Sequence, residues 1–576
     1  MTRRRAAWAA AALLAAATVA LYLVSRGKWS DPLIDSGREW IVPDGLSRGE
    51  LLYKDVVYWF GPFTPYFQAA FFRVFGSGFA TLVLAGAVSA AATLAVLFVV
   101  LRRVTDRGSA ALWTALAIPA LIFMPNAGGA LLGMGYRIWH AAAFALGAVA
   151  LAARPRRGRE IWPSAAAGVC AGLAGLCRTE WGLAAIVATA LASIVRSRLR
   201  KGGVFDAVIA ALAFVGTFGI GLGAFVWSAG ADAVLRDGPV LLAGLPPETR
   251  ESLAILSGGL DWRGGLAELA YSAACGTGLV ALALLASRPC GIDRRRWLAV
   301  LLGSVAVLAA AAALGGAGDA VSFSAAPLVS AAALLVALRR ARGSRAAALA
   351  ACGLLGLVLS YRRPFHIGDA PYVAPPLLFA LVAAAGLTQL AVVLLRGREA
   401  RRRASRIVRW GLAGIVAAAF VGRLWRYGSI DDVPVAGTSG MLSTRPELAA
   451  EVEGLAADLR AKTSGEDVLV VFPEGEILNF LSGRRNPVRH RLYLPGYVTS
   501  RNEAEILSEL QRAAPAAVVF WRRPVSEYRR TLFGEDYGVR IREWVEANYD
   551  PSPATGADRG HARFRLFLRR NPRPMR

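Results

Sequence analysis

Histidine and cysteine are scarce, with four and five residues in a chain of 576. The cysteines (Cys170, Cys177, Cys275, Cys290 and Cys352) form no CxxC pair, and none lies beyond Cys352. This excludes a disulfide framework and a cysteine-rich metal knuckle. Cys170 and Cys177 share one apolar block, where a free thiol behaves as a small packing residue. HExxH, Walker and GxSxG signatures are missing too, which removes zinc-peptidase, P-loop and serine-hydrolase chemistry. Charged side chains make up 18% of the chain, below the roughly 25% usual for soluble proteins. Acids are outnumbered, 40 against 66 basic residues, for a net charge of +26. Neither an internal repeat nor a low-complexity segment is present.

The positive charge does not read as a nucleic-acid surface. It falls in clusters between hydrophobic blocks: Arg3–Arg5, Arg102 and Arg103, Arg154–Arg159, Arg196–Lys201, Arg288–Arg296, Arg339–Arg345 and Arg396–Arg409. Clusters so placed set the orientation of membrane spans. The composition is 55% hydrophobic, with mean hydropathy +0.45, and the apolar blocks are long enough to cross a bilayer, which takes about 20 helical residues. Spans are expected at about 6–25, 79–101, 109–124, 138–153, 162–177, 180–195, 205–228, 266–286, 297–314, 325–338, 345–360, 373–395 and 408–425, roughly thirteen in all. The fold class is a polytopic α-helical membrane protein. The first block begins like a signal peptide, but its apolar run from Ala6 to Val24 is longer than a signal core, so a retained helix is expected.

With the Arg-rich loops cytoplasmic, the N-terminus is inside, and the loop 26–78 and the C-terminal region are outside. The block from Pro163 to Val195 tests this scheme. As one helix it would run roughly 48 Å through a core of about 30 Å. It would also bury Arg178 and Glu180 near its middle, at about 2.5–3.5 kcal/mol each. Two short helices with Arg178–Glu180 at the outer turn avoid that cost and keep the loop alternation in step.

The chain divides into a transmembrane domain, 1–425, and a soluble α/β domain, 426–576. From about Trp425 charges become frequent and alanine runs vanish. Helices are expected at Pro446–Lys462, Glu476–Leu481, Ser526–Phe533 and Arg540–Asn548, and strands at Asp467–Phe472, Ala516–Trp521 and Ala562–Leu568. About 140 residues is a reasonable size for one folded unit.

The stretch Asp31–Gly76 is the most chemically varied in the chain. It holds carboxylates, arginines, aromatics and prolines that a simple turn between spans does not need. Its ordered pieces are Asp35-Ser-Gly-Arg-Glu39, Gly49-Glu-Leu-Leu-Tyr53-Lys-Asp55, Gly61-Pro62, Pro65-Tyr66 and Phe75-Gly76. In this order and place they resemble the first external loop of the bacterial GT-C glycosyltransferases, relatives of the protein O-mannosyltransferases and the lipid A aminoarabinose transferase. The PEGEILNFLSGRRNP stretch (473–487) and the LPG at 494–496 are similar to C-terminal domains of the same group.

The resemblance implies transfer of a sugar from a polyprenyl-phosphate donor to an acceptor (protein, lipid or cell-envelope glycan) at the outer face of the cytoplasmic membrane, with inversion. Such a reaction needs a base, in-line geometry at the anomeric carbon, and cations for the phosphate leaving group. The resemblance makes Asp35 the base, with Glu39 as companion. In one helical turn their i, i+4 spacing would put both carboxylates on one face, which raises the pKa of one of them. Asp31 is a third candidate, and the plain alternative is that these acids only cap a surface helix. Asp55 and Tyr53 bind acceptor or stabilise the loop.

Arg362, Arg363 and His366, in SYRRPFHIGDAPYVAPP, are phosphate candidates, because guanidinium grips phosphate in a bidentate fork. Anchoring to lipid headgroups is the alternative. Arg137, His140 and Arg178 are further lining candidates at outer helix ends, and Arg263 is a weaker one. Trp40, Tyr53, Tyr58, Trp59, Phe60, Phe63 and Tyr66 either stack on sugar or isoprenoid or form an interfacial aromatic belt. No cofactor is required. Carboxylates offer a place for a divalent cation, but nothing demands one. The competing functions are a flippase for a lipid-linked sugar and a non-catalytic membrane scaffold. The charges cluster at helix ends and the halves do not repeat, which disfavours transport.

Overall fold

The computed structural model describes residues 2–133, 135–155, 160–197, 201–239, 246–256, 317–339, 343–360, 374–395, 397–552 and 563–570. Helix α1 (Thr2–Ser25) leads into the loop, which is itself helical in two places, α2 (Gly37–Ser47) and α3 (Phe63–Phe75). There follow α4 (Phe79–Val104), α5 (Arg107–Ala117, continued by a π turn to Ile122), α6 (Tyr136–Ala152), α7 (Trp162–Cys177), α8 (Thr179–Ser197) and α9 (Lys201–Ala229). Beyond them come helices Ala231–Asp237, Pro247–Leu256, Ala317–Arg339, Gly343–Ser360, Leu377–Leu394 and Arg398–Gly428.

Seven of these helices are long and apolar enough to cross a membrane, and four further apolar helices are shorter. These helices coincide with the expected spans, apart from 266–286 and 297–314, which lie outside the described residues. The outward face of α9 is apolar, with Leu212, Val215, Ile220 and Trp227 exposed. A soluble protein would rarely leave such a face bare; a helix that crosses a membrane can.

The α7–α8 hairpin forms as the cost of burying its charges requires. Arg178 takes an extended conformation (φ −150°, ψ 120°) that ends α7. Glycines let the two helices touch: a Cβ on Gly182 would stand 2.4 Å from the Gly175 Cα. Small residues at a membrane helix crossing allow this close approach.

The two ends of the bundle differ in chemistry. At one, Arg196 donates to the Ala152 and Arg154 carbonyls (2.7 and 3.0 Å) and pairs with Asp206 at 2.6 Å, and Arg409 lies 3.2 Å from Asp106. At the other, the loop 31–76 meets the α7–α8 turn and the C-terminal domain. There the Thr179 hydroxyl donates to the Pro239 carbonyl (3.1 Å), the Thr249 hydroxyl donates to the Gly496 carbonyl (2.7 Å), and Trp59 stacks on Tyr497 at 4.0 Å.

The C-terminal domain begins with a short pairing of β1 (Val433–Pro434) and β2 (Ser443–Thr444) and the helix Pro446–Lys462. Its main sheet contains β3 (Leu469–Phe472), β4 (Ala517–Trp521), β5 (Tyr549–Ser552) and β6 (Phe564–Arg569) in the order β3-β4-β6-β5. β3 and β4 run parallel, with Leu469 opposite Ala517, and β6 is antiparallel to both β4 and β5. The helix expected at Ser526–Phe533 is only a single tight turn, Ser526–Tyr528. A helix at Glu503–Ala513 and the strand β5 were not expected.

Candidate active site

Local chemistry shapes the start of the loop. The Asp31 carboxylate accepts from the backbone of Leu33 (2.8 Å) and Ile34 (3.1 Å), and Ser36 closes the turn through the Asp31 carbonyl. Asp31 is thereby committed to capping. The backbone then breaks at Ile34 and Asp35, and Asp35 sits at φ 63°, ψ −32°. Such a conformation costs a non-glycine residue about 1–3 kcal/mol and is held only where surrounding structure insists on it. The break corrects the expectation that Asp35 and Glu39 share a helical face: α2 starts only at Gly37, and the two carboxylates take different partners.

Asp35 pairs with Arg38, and both side chains are nearly covered, at 13% and 11% exposure. Burial alone would lower Arg38, but Asp35, Tyr497, Glu39 and Glu474 outweigh it and hold the guanidinium above its usual value. Glu39 instead reaches Arg137 at 3.0 Å, with both buried. Burial raises the Glu39 carboxyl, against the pull of Arg137. The Arg137 guanidinium lies 3.9 Å over the Phe60 ring and donates to the Tyr58 hydroxyl. Burial pushes the Tyr58 phenol up to about 12. Arg178 approaches Phe60 as well (5.2 Å) and pairs with Glu180 at 2.6 Å. Two cations from α6 and the α7–α8 turn thus gather around one loop aromatic, a favourable arrangement where water is scarce.

The other expected site residues serve the frame. His140 is buried, with Nδ1 2.9 Å from the Thr64 hydroxyl and Nε2 2.7 Å from the Ser89 hydroxyl, so both ring nitrogens are engaged inside the bundle. The Tyr53 hydroxyl donates to the Phe60 carbonyl (2.8 Å). Asp55 accepts from the Leu51 backbone (2.9 Å). Arg362, Arg363 and His366 lie outside the described residues.

Sequence reasoning missed what the C-terminal domain contributes. Gly37 lies so close to the turn after β3 that a Cβ there would stand 2.4 Å from the Ile477 nitrogen and 2.6 Å from the Glu476 carbonyl carbon. This turn is Pro473-Glu474-Gly475-Glu476. Glu474 is 1% exposed and pairs with Arg523 at 2.7 Å. Glu474 follows the carboxyl end of β3, and Arg523 the carboxyl end of the parallel strand β4. Functional groups in α/β sheets collect at that edge, which is the signal that would have found them. Burial pushes Glu474 up to about 8 and Glu476 up to about 7. Asp35 acts electrostatically on both of them and on Arg523. Among the described residues no group of three or more His, Cys, Asp or Glu is placed to hold a metal ion.

Gly37→Ala is expected to push α2 off the PEGE turn. Overpacking against backbone costs about 1–3 kcal/mol, so the 37–47 segment should be cut faster than wild type in limited proteolysis. An unchanged cleavage rate would show that this contact is slack.

No protein-family model matches the chain, and no curated protein matches it. Solved structures do. ArnT from Cupriavidus metallidurans in the apo state is similar at TM-score 0.53 and 12% identity, over 98% of this chain and 98% of that one. AglB, the oligosaccharyltransferase from Archaeoglobus fulgidus in complex with an inhibitory peptide and a dolichol-phosphate, is similar at TM-score 0.50 and 12% identity, over 95% of this chain and 73% of that one. The chain therefore has the fold of the GT-C membrane glycosyltransferases, the group that its first loop resembles.

Proposed function

We propose that the protein is a glycosyltransferase that moves a sugar from a polyprenyl-phosphate donor to an acceptor at the outer face of the cytoplasmic membrane, with inversion at the anomeric carbon. The observation that carries this reading is Asp35: a strained, mostly covered carboxylate beside its own cation, at the seam between span, loop and C-terminal domain. Strain of this kind concentrates at working sites. The likeness to AglB, which holds a dolichol-phosphate, supports the donor class.

In the reaction, Asp35 takes the acceptor's proton as its oxygen bonds to the anomeric carbon. The bond from that carbon to the phosphate oxygen breaks, and the polyprenyl phosphate leaves with the electron pair. Arg38 orients Asp35. Arg137 and Arg178, steadied on Phe60 and by Glu39 and Glu180, supply positive potential for the leaving phosphate. Arg362, Arg363 and His366 are proposed to add to it.

The test is transfer from a panel of radiolabelled polyprenyl-phosphate sugars by the purified protein, with envelope extracts as acceptor. Label in an acceptor is expected, and the donor that supplies it identifies the sugar. Donor crossing sealed vesicles with no new glycosidic bond would overturn the reading in favour of transport.

A further inference from the structure

The PEGE turn presents buried polar atoms that its own domain leaves unsatisfied. Among the described residues, Glu474 Oε2 and Glu476 Oε1 have no hydrogen-bond partner, although both residues are 1% exposed. A carboxylate oxygen buried without a partner is costly, and cores of α/β domains avoid it. Here the turn faces the loop rather than its own core. The Gly37 backbone is pressed against it, and Asp35 and Arg38 are within electrostatic reach.

We propose that Glu474 is a positioning residue of the transfer reaction, through which the C-terminal domain sets the charge around Asp35. This rests on the glycosyltransferase reading and deepens it. The groups facing Glu474 are Arg523 (itself paired with Glu527) and Tyr537 from its own domain, Glu476 beside it, and Asp35 and Arg38 from the loop. Arg523 favours the ionised form; the carboxylates and burial oppose it. When Glu474 is protonated, Arg38 and Arg523 dominate the seam. When it ionises, a second negative charge stands near Asp35, and the acceptor's proton is drawn into the site more strongly. Transfer therefore rises with pH as Glu474 loses its proton, in the region of about 8.

Glu474→Gln keeps the shape and removes the charge. In wild type, kcat/KM should climb about three- to tenfold across the Glu474 titration, the scale of one neighbouring charge on a proton transfer. In the variant this climb should vanish, with the donor KM unchanged. Thermal unfolding in detergent checks that the variant is folded. If it does not fold, Arg523→Gln serves instead: loss of the cation that favours ionisation must move the climb to higher pH. Coincident wild-type and variant profiles, or an unmoved climb in Arg523→Gln, would overturn the inference and leave the glycosyltransferase reading standing. No transfer from any donor by the wild-type protein would defeat both.

Discussion

Asp35→Asn is expected to reduce sugar transfer by about 10²–10⁴-fold, the usual contribution of a positioned general base. The substitution isolates the chemistry. Asparagine tolerates positive φ nearly as well as aspartate does, so the break at φ 63° survives. The amide still accepts from Arg38, and the steric fit is unchanged. Folding and expression should therefore hold while proton uptake is lost. The measurement is labelled-sugar incorporation by purified wild type and variant at matched concentration and unfolding midpoint. Turnover equal to wild type would sink Asp35 as the base.

Arg137→Leu is expected to produce the largest loss of stability. Its partner Glu39 is 6% exposed, and its own side chain is 1% exposed. Removing one member of a buried ion pair leaves the other uncompensated, at about 3–5 kcal/mol. The pH dependence has a definite sign. Arg137 pulls the Glu39 carboxyl down against burial, so its loss raises Glu39 further. The folded state then binds a proton that the unfolded state releases above the ordinary carboxylate range, and stability falls as pH rises through that window. The variant should unfold at a lower temperature than wild type, and by a wider margin at pH 8 than at pH 6. Replacing Glu39 by Leu as well should recover much of the loss, because a buried pair exchanged for apolar groups is often close to neutral. A double variant no better than the single one would show that Arg137 matters mainly through Phe60 and Tyr58.

The spans were legible because a bilayer demands some twenty apolar residues in a row, and that demand leaves a mark that needs no tertiary context. Arg178 and Glu180 marked the α7–α8 turn by the cost of burying them. The loop helices α2 and α3 left no such mark. They are short, and α2 carries Pro43 inside it and is set by packing rather than by an amphipathic stripe. The Glu503–Ala513 helix does carry a signal, acids at its start and apolar residues at Ile506 and Leu510. At the site, Asp35 could be picked out as a candidate from its order in the loop. Its backbone break could not, because the shared helical face assumed regular φ and ψ. Glu474 and Arg523 come to Asp35 from the far end of the chain, and only the sheet shows why they arrive together.

The loop is clasped by late residues. Arg489 donates to the Tyr53 and Lys54 carbonyls, Arg491 donates to the Ile41 carbonyl, and Tyr497 stacks on Trp59. During synthesis the ribosome makes Asp35 long before the residues of this clasp. A nascent chain halted anywhere before Arg489 holds Asp35 in a loop with nothing yet to clasp it. The opening segment therefore stays unclasped while the spans between are being inserted, and takes its final arrangement only when the late residues fold against it.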